Sequence, residues 1–204
     1  MFDFDGTIAN SFPLFLEIVQ DLSKTYDYRC ISAIEGENLR SHPPKYILEY
    51  LRLSRWKIPF YGYTMKKRFR NSIVDVKLFS GMIEEIKILK DSGVRLAIVS
   101  GNSKENVKVC LGSNGIDIFD DYVCDVGFFR KSKHIKKLIH KNGFRLNEVL
   151  YIGDEIRDIQ ASKNTGIDIG CVSWGFNTLD SLIQHKPNFV FNAPHEISRL
   201  LTLD

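Results

Sequence analysis

Short apolar runs alternate with amphipathic helical patterns after residue 81, and this alternation constrains the fold more than any other feature of the chain. The predicted strands are 95–100, 121–126, 148–153, 168–174 and 188–192. Between them, apolar residues recur at the spacing of a helix face, as in Val107, Cys110 and Leu111. Strands that alternate with helices form right-handed crossovers and a mostly parallel sheet. The pattern therefore predicts an α/β fold with a doubly wound parallel sheet. Glycines suited to helix C-termini are Gly93, Gly112, Gly143 and Gly166.

Residues 12–80 follow a different pattern, in which no run is convincing as a strand. Ser11 and Pro13 are typical of a helix N-terminus, and further helices are predicted around 47–51 and over 64–73. We therefore expect an α/β core made of residues 1–11 and 81–204, with an inserted α-helical cap at residues 12–80. The aromatic residues expected in the core of the cap are Trp56, Phe60, Tyr61 and Tyr63, with one or two of them lining the cleft as the alternative.

Charge and composition narrow the class of protein. The 204 residues include 28 Lys and Arg against 25 Asp and Glu, a net charge of +3 that does not favour a nucleic-acid or membrane-surface partner. The basic run at 66–70 is interpreted as a solvated helix face, with steering of an anionic substrate as an alternative. The four cysteines have no metal-ligand spacing, which is typical of free thiols in a reducing compartment. We predict a cytoplasmic protein that is a monomer by default.

The string Asp3-Phe4-Asp5-Gly6-Thr7 carries most of the chemical information. Residues i and i+2 of a strand face the same side, so Asp3 and Asp5 start side by side at the carboxyl end of a strand. Gly6 allows a sharp turn there, and open α/β sheets place their sites at this edge. Two carboxylates in this position suit a metal site, or a nucleophile beside a general acid. For two aspartates taken alone, an acidic turn is the alternative.

Further motifs follow in an order that resembles the haloacid dehalogenase superfamily of phosphohydrolases. Ser100 ends the apolar run 97–99, a lysine lies near a helix start, and 153–158 form an acidic Gly-Asp-x-x-x-Asp string. The helical insert also lies between the first two motifs, as it does in that superfamily. The strings 153–158 and 172–176 are similar to those of the phosphoglycolate-phosphatase-like branch with a small helical cap. One departure is that only two residues precede Asp3, so the first strand is a stub unless the true start lies upstream.

The resemblance implies a role for each motif residue. Asp3 is implied as the nucleophile and Asp5 as the general acid and base. The implied phosphate-binding groups are Thr7, Ser100, Gly101, Asn102 and a lysine, which is Lys131 because it precedes the helix, with Lys133 as the alternative. The implied Mg²⁺ site consists of Asp3, the backbone carbonyl of Asp5, Asp154 and Asp158, the last of which orients the waters on the metal.

These observations predict a Mg²⁺-dependent phosphatase that acts on a small phosphorylated metabolite through an aspartyl-phosphate. Two alternatives stay open. A phosphomutase would pass the phosphoryl group to a second hydroxyl instead of water. A phospho-accepting or binding module would be phosphorylated without turnover.

Overall fold

A parallel sheet forms the centre of this protein. The structure is a computed structural model, and it describes residues 1–42, 44–127 and 130–202. The strands are β1 (Ala97–Val99), β2 (Asp121–Val123), β3 (Leu150–Gly153), β4 (Asp168–Val172) and β5 (Phe189–Phe191). β1 pairs with β2, and β3 pairs with β4, which pairs with β5, all in parallel.

The first three residues join these two groups of strands. Phe2 forms parallel bridges to Ile98 on one side and to Ile152 on the other. Its N–H donates to the carbonyl of Ala97 at 2.8 Å, and the N–H of Asp3 donates to the carbonyl of Ile152 at 2.8 Å. The spatial order is therefore β2, β1, the N-terminal segment, β3, β4 and β5. The N-terminal segment thus lies in the middle of the sheet.

Nine α-helices and five 3₁₀ turns surround or extend from the sheet within the described residues. The helices are α1 (Phe12–Tyr26), α2 (Ala33–Leu39), α3 (Pro44–Tyr50), α4 (Ile58–Ser72), α5 (Met82–Asp91), α6 (Lys104–Ser113), α7 (Lys131–Asn142), α8 (Ile156–Thr165) and α9 (Leu179–Ile183). The 3₁₀ turns are Arg55–Lys57, Ile73–Asp75, Leu146–Glu148, Pro194–Glu196 and Ser198–Thr202.

Successive strand residues face opposite layers of helices, as the period of a strand requires. Ile98 packs with α5 and α6 on one face, whereas Ala97 and Val99 pack with α7 and α8 on the other. Tyr151 and Ile152 divide between the two layers in the same way. The predicted doubly wound α/β fold is confirmed.

The helical segment has a hydrophobic cluster of its own. Its buried members are Ile18, Val19, Leu22, Tyr28, Ile31, Leu39, Leu51 and Leu53. Helix α2 begins with a reciprocal pair of hydrogen bonds, in which Ser32 Oγ accepts from the N–H of Glu35 while the Glu35 carboxylate accepts from the N–H of Ser32. That capping box stabilises a short helix that the apolar pattern did not predict.

The chain enters and leaves the helical segment at one place. Ala9 forms an antiparallel bridge with Leu78. Close by, the N–H of Asn10 donates to the carbonyl of Lys77 at 2.9 Å, and that of Phe79 donates to the carbonyl of Ile8 at 3.0 Å. The two connections therefore run side by side as one hydrogen-bonded pair.

Some local predictions are wrong. Trp56, Phe60 and Tyr63 are 70%, 63% and 72% exposed. Trp56 lies in the 3₁₀ turn before α4, and the side of α4 that packs against the hydrophobic cluster is formed by other, partly buried residues, including Tyr61. Helix α6 continues through Gly112 to Ser113, since a glycine inside a helix costs only about 1 kcal/mol and packing overrides it. The helical pattern near Leu200 forms 3₁₀ turns instead of an α-helix.

Among the described residues, no helix is both long enough and apolar enough to cross a membrane. The four cysteines, all in the described part of the chain, have free thiols.

Candidate active site

Asp3 lies at the carboxyl edge of the sheet and has both carboxylate oxygens engaged. Oδ1 accepts a hydrogen bond from the N–H of Phe4 at 2.8 Å, and Oδ2 accepts one from Lys131 Nζ at 2.7 Å. The residue is 2% exposed. Because each oxygen has a donor and the backbone is tied to β3, the carboxylate is held in one orientation.

Lys131, the first residue of α7, bridges two of these aspartates. Its ammonium contacts Asp3 at 2.7 Å and Asp158 Oδ1 at 2.5 Å, and it lies 5.4 Å from the ring centroid of Tyr151. Burial alone would lower the pKa of Lys131, but the charges of Asp158 and Asp3 outweigh it and hold that pKa well above its ordinary value. The lysine therefore stays protonated. Lys133 is exposed on the same helix.

Asp158 is the second carboxylate that pairs with Lys131. Its Oδ2 accepts from the N–H groups of Asp154 at 3.2 Å and of Glu155 at 3.1 Å, so it caps the first turn of α8. Burial and the neighbouring Asp3 raise its pKa, although Lys131 opposes them. Both oxygens of Asp158 thus have protein donors.

Asp154 occupies a tight pocket between two loops. Oδ1 accepts from the hydroxyl of Thr7 at 2.6 Å, and Oδ2 accepts from the N–H of Phe176 at 2.7 Å. A Cβ at Gly6, which has a φ of +77°, would lie 2.2 Å from Oδ2, and a Cβ at Gly175 would lie 2.0 Å from the Asp154 Cβ. Only glycine at these positions lets both loops approach the carboxylate.

Asp5 lies at the same edge, beside Asn102. The Asn102 side-chain amide donates to the two Asp5 oxygens at 3.0 and 3.3 Å. Burial and the charge of Asp3 together raise the pKa of Asp5 to about 6, in spite of that donor. A carboxyl group with this pKa can both give and take a proton near neutral pH.

Ser100 follows β1 at the carboxyl edge and is 1% exposed. Its Oγ accepts from the N–H of Asn102 at 3.2 Å, so its own proton is available to another acceptor. The side-chain oxygen of Asn102, Oδ1, accepts from the N–H of Ser103 and from Asn106 Nδ2. Asn102 thus orients Asp5, and Gly101, which lies between Ser100 and Asn102, is exposed.

The structure therefore brings most of the predicted site residues to one sheet edge. Thr7 and Asn102, both predicted to contact phosphate, have side chains hydrogen-bonded to Asp154 and Asp5. Sequence reasoning missed Tyr151, whose hydroxyl donates to the carbonyl of Val99 at 2.8 Å beneath the lysine. It also missed the contact of Phe176 with Asp154, although the string 172–176 belongs to the resemblance.

The carboxylates fit a divalent cation. One oxygen from each of Asp3, Asp154 and Asp158 lies within 4.8 Å of the others, and all three residues are buried. Burial and the charges of Glu155 and Asp3 raise the pKa of Asp154 well above its ordinary value. A hard cation that prefers oxygen ligands, such as Mg²⁺, matches this donor set and would offset the buried negative charge.

A parallel, doubly wound sheet with buried carboxylates and a lysine at its carboxyl edge defines the class as an α/β enzyme. Residues 1–172 match the family described as haloacid dehalogenase-like hydrolase, and the chain belongs to that family. The prediction that the chain belongs to this family is therefore confirmed, and so is the prediction that it is an enzyme.

Similar proteins cover almost the whole chain. A phosphoglycolate phosphatase of Synechococcus elongatus is 26% identical over 203 residues, which are 99% of this chain and 96% of that protein. A pyrophosphatase, PpaX, of Halalkalibacterium halodurans is 23% identical over 206 residues, 95% of this chain and 91% of its own length. A haloacid dehalogenase-like hydrolase from Streptococcus pneumoniae has the same fold, with a TM-score of 0.84, 20% identity, and coverage of 98% of this chain and 96% of that one.

Proposed function

We propose that this protein is a Mg²⁺-dependent phosphatase that hydrolyses a small phosphomonoester through an aspartyl-phosphate on Asp3. The observation that carries the proposal is the fixed Asp3 carboxylate, buried at the carboxyl edge of the sheet with a lysine against it and Asp5 two residues further on. A nucleophile beside an acid of raised pKa is the arrangement that phosphoryl transfer to a carboxylate requires.

In the first step, an oxygen of Asp3 attacks phosphorus in line with the leaving group. The bond from phosphorus to the substrate oxygen breaks, and protonated Asp5 gives its proton to the departing alkoxide. Asn102 holds Asp5 through both carboxylate oxygens, which keeps the acid oriented during this transfer.

In the second step, Asp5 is the base. It takes a proton from a water molecule as that water attacks phosphorus, and the bond to Asp3 breaks to release phosphate. Asp5 is protonated again and Asp3 is again a carboxylate, so the cycle closes without a further reactant.

Two hydrogen-bond donors of this chain stabilise the negative charge on the transferred phosphoryl group. The free proton of Ser100 and the ammonium of Lys131 supply hydrogen bonds to the phosphoryl oxygens. Asp3, Asp154 and the backbone carbonyl of Asp5 would hold Mg²⁺, with Asp158 orienting its waters, and the bound ion reduces the repulsion between an anionic nucleophile and an anionic phosphate.

The helical segment, residues 12–80, is the cap of this proposal. Its residues Phe12 and Phe15 contact Phe176 with ring centroids 5.3 and 5.5 Å apart, directly over the loop that holds Asp154. A cap in this position excludes bulk water and selects the leaving group. The two relatives named above make phosphoglycolate and pyrophosphate the first compounds to assay, with the cytoplasm as the site of action.

The test is phosphate release from p-nitrophenyl phosphate, with Mg²⁺ and then with EDTA. Wild type is expected to turn over only with the metal. Asp3→Asn is expected to lose at least about 10³-fold in turnover, because its amide is a poor nucleophile. Asp91→Asn, an exposed change at the end of α5, is the matched control and retains activity. An Asp3→Asn enzyme with near-normal turnover would exclude this nucleophile.

A chiral phosphorothioate substrate tests the covalent step separately. Two in-line displacements give retention of configuration at phosphorus, and a single attack by water gives inversion. Inversion would exclude the aspartyl-phosphate. A stable phosphorylated protein without turnover would instead identify the phospho-accepting module.

A further inference from the structure

We infer that Arg40 is a positioning residue that couples the helical segment to Asp154 through the loop 175–177. The effect of Arg40 on catalysis rests on the proposed function, whereas the effect of Arg40 on metal binding does not.

Arg40 follows α2 and reaches across to the α/β unit. Its Nε donates to the carbonyl of Phe176 at 3.2 Å, and its Nη2 donates to the carbonyl of Gly175. The side-chain amide of Asn177 returns a hydrogen bond to the Arg40 carbonyl at 2.7 Å. Three consecutive residues of the loop are therefore bonded to one residue of the helical segment.

The same three residues surround Asp154. The N–H of Phe176 donates to Asp154 Oδ2 at 2.7 Å, and the N–H of Asn177 donates to the Asp154 carbonyl at 3.2 Å. Gly175 lies so close to the aspartate that a Cβ could not be accommodated. A shift of this loop therefore moves a proposed metal ligand directly.

The surroundings of Arg40 favour positioning over contact with substrate. Its Nη1 pairs with Glu37 at 2.5 Å, and its guanidinium lies 5.2 Å from the ring centroid of Phe12. The guanidinium thus has an acidic partner and two carbonyls, with only 20% of the side chain exposed. Because a guanidinium has five N–H donors in a fixed plane, these partners hold it in one orientation.

It follows that docking of the helical segment also orders Asp154, which is one of the proposed metal ligands. When the segment is docked, Arg40 holds the carbonyls of Gly175 and Phe176, and the Phe176 N–H is directed at Asp154. Loss of a group that orients a metal ligand typically costs about 10- to 100-fold in affinity or activity.

The first experiment measures Mg²⁺ binding without turnover, by calorimetry and by the emission of Trp174, which precedes the loop and donates to the carbonyl of Thr7 at 3.1 Å. A Trp56→Phe background leaves Trp174 as the remaining tryptophan. Arg40→Met keeps the apolar stem but removes the donors, and is expected to raise the Kd for Mg²⁺ about 10-fold or more. Arg40→Lys keeps one charged donor group and is expected to lie between wild type and Arg40→Met.

The control variant is Arg29→Met, because Arg29 pairs with Glu35 and stacks on Tyr50 inside the helical segment. It is expected to leave the Kd for Mg²⁺ unchanged. If Arg40→Met and Arg29→Met are both folded by circular dichroism and have the same Kd for Mg²⁺, the inference is overturned. Arg40→Lys decides the matter if Arg40→Met does not fold, since a Kd equal to that of wild type would also overturn it.

The second experiment separates positioning from substrate binding. If Arg40 acts through Asp154, Arg40→Met lowers kcat/KM by a similar factor for p-nitrophenyl phosphate and for phosphoglycolate, and added Mg²⁺ restores part of the loss. A loss confined to phosphoglycolate, through KM alone, would show that Arg40 binds the second anionic group and would overturn the inference. A wild type without phosphatase activity would refute the proposed function, and the Mg²⁺ titration would still decide the role of Arg40.

Discussion

Replacement of Lys131 by methionine tests the electrostatic arrangement of the site most directly. Methionine fills a similar volume without a charge, so the change leaves Asp3 and Asp158 buried without the ammonium between them. The two contacts, at 2.7 and 2.5 Å, are hydrogen bonds between charged groups, each worth about 1.5–3 kcal/mol. Together they give about 3–6 kcal/mol, which agrees with the roughly 3–5 kcal/mol typical for removal of one partner from a buried ion pair.

The assay is urea unfolding at pH 7 in EDTA, followed by far-ultraviolet circular dichroism and tryptophan fluorescence. We expect Lys131→Met to lower the free energy of unfolding by about 3–5 kcal/mol. Lys133→Met is the matched control, because it removes an exposed lysine from the same helix and should change stability by less than about 0.5 kcal/mol. A loss below about 1 kcal/mol for Lys131→Met would refute the buried pair.

The double variant Lys131→Met with Asp158→Asn tests whether the loss of stability comes from the carboxylate that is left without its lysine. If the loss comes from an uncompensated carboxylate, removal of that charge recovers part of it, and the two changes are non-additive by about 1–3 kcal/mol. Strict additivity would show that the lysine stabilises the fold through its packing instead.

Two more outcomes follow from the contacts of particular residues. Gly175→Ala places a Cβ 2.0 Å from the Asp154 Cβ, so it should weaken Mg²⁺ binding about 10-fold or more by calorimetry, and normal binding would contradict the pocket described for Asp154. Glu35 has its pKa lowered to about 2 from the ordinary 4.5, chiefly by the backbone N–H of Ser32 and then by the hydroxyl of Tyr50. A lowered pKa stabilises the fold above the unfolded value, so Glu35→Gln should lower Tm at pH 7, and the difference from wild type should shrink as the pH falls from about 4.5 towards 2. A difference in Tm that does not depend on pH would exclude the ionised capping box.

The sequence predicted the layered sheet because strand and helix periodicity are local properties. It also predicted the gathering of Asp3, Ser100 and Asp154, since the carboxyl ends of parallel strands share one edge. The choice of Lys131 over Lys133 followed from its predicted place just before the helix. In the structure Lys131 is the first residue of α7, and its ammonium is buried against Asp3. Their catalytic roles stay predictions.

What the sequence did not predict depends on contacts between distant segments. Arg40 and Phe176 are 136 residues apart, and nothing in either local string indicates that they meet. The exposure of Trp56 and Phe60 contradicts the simple rule that large aromatic residues are buried. Helix α2 is a different case, because Ser32 and Glu35 form a capping box that was legible in the sequence.

The hydrogen bonds on either side of the Ala9–Leu78 bridge hold the two covalent connections of the helical segment together at one place. Two antiparallel segments that already lie side by side can be joined by a tight turn of two residues. Each doubling of the length inserted between them adds only about 0.6 kcal/mol of closure entropy. Helical inserts of very different length could therefore begin after Ala9 and end before Leu78 without a change in the register of the sheet. If the insert selects the substrate, as the proposed function has it, a new insert would also have to replace the contacts of Arg40 with the loop 175–177 that holds Asp154.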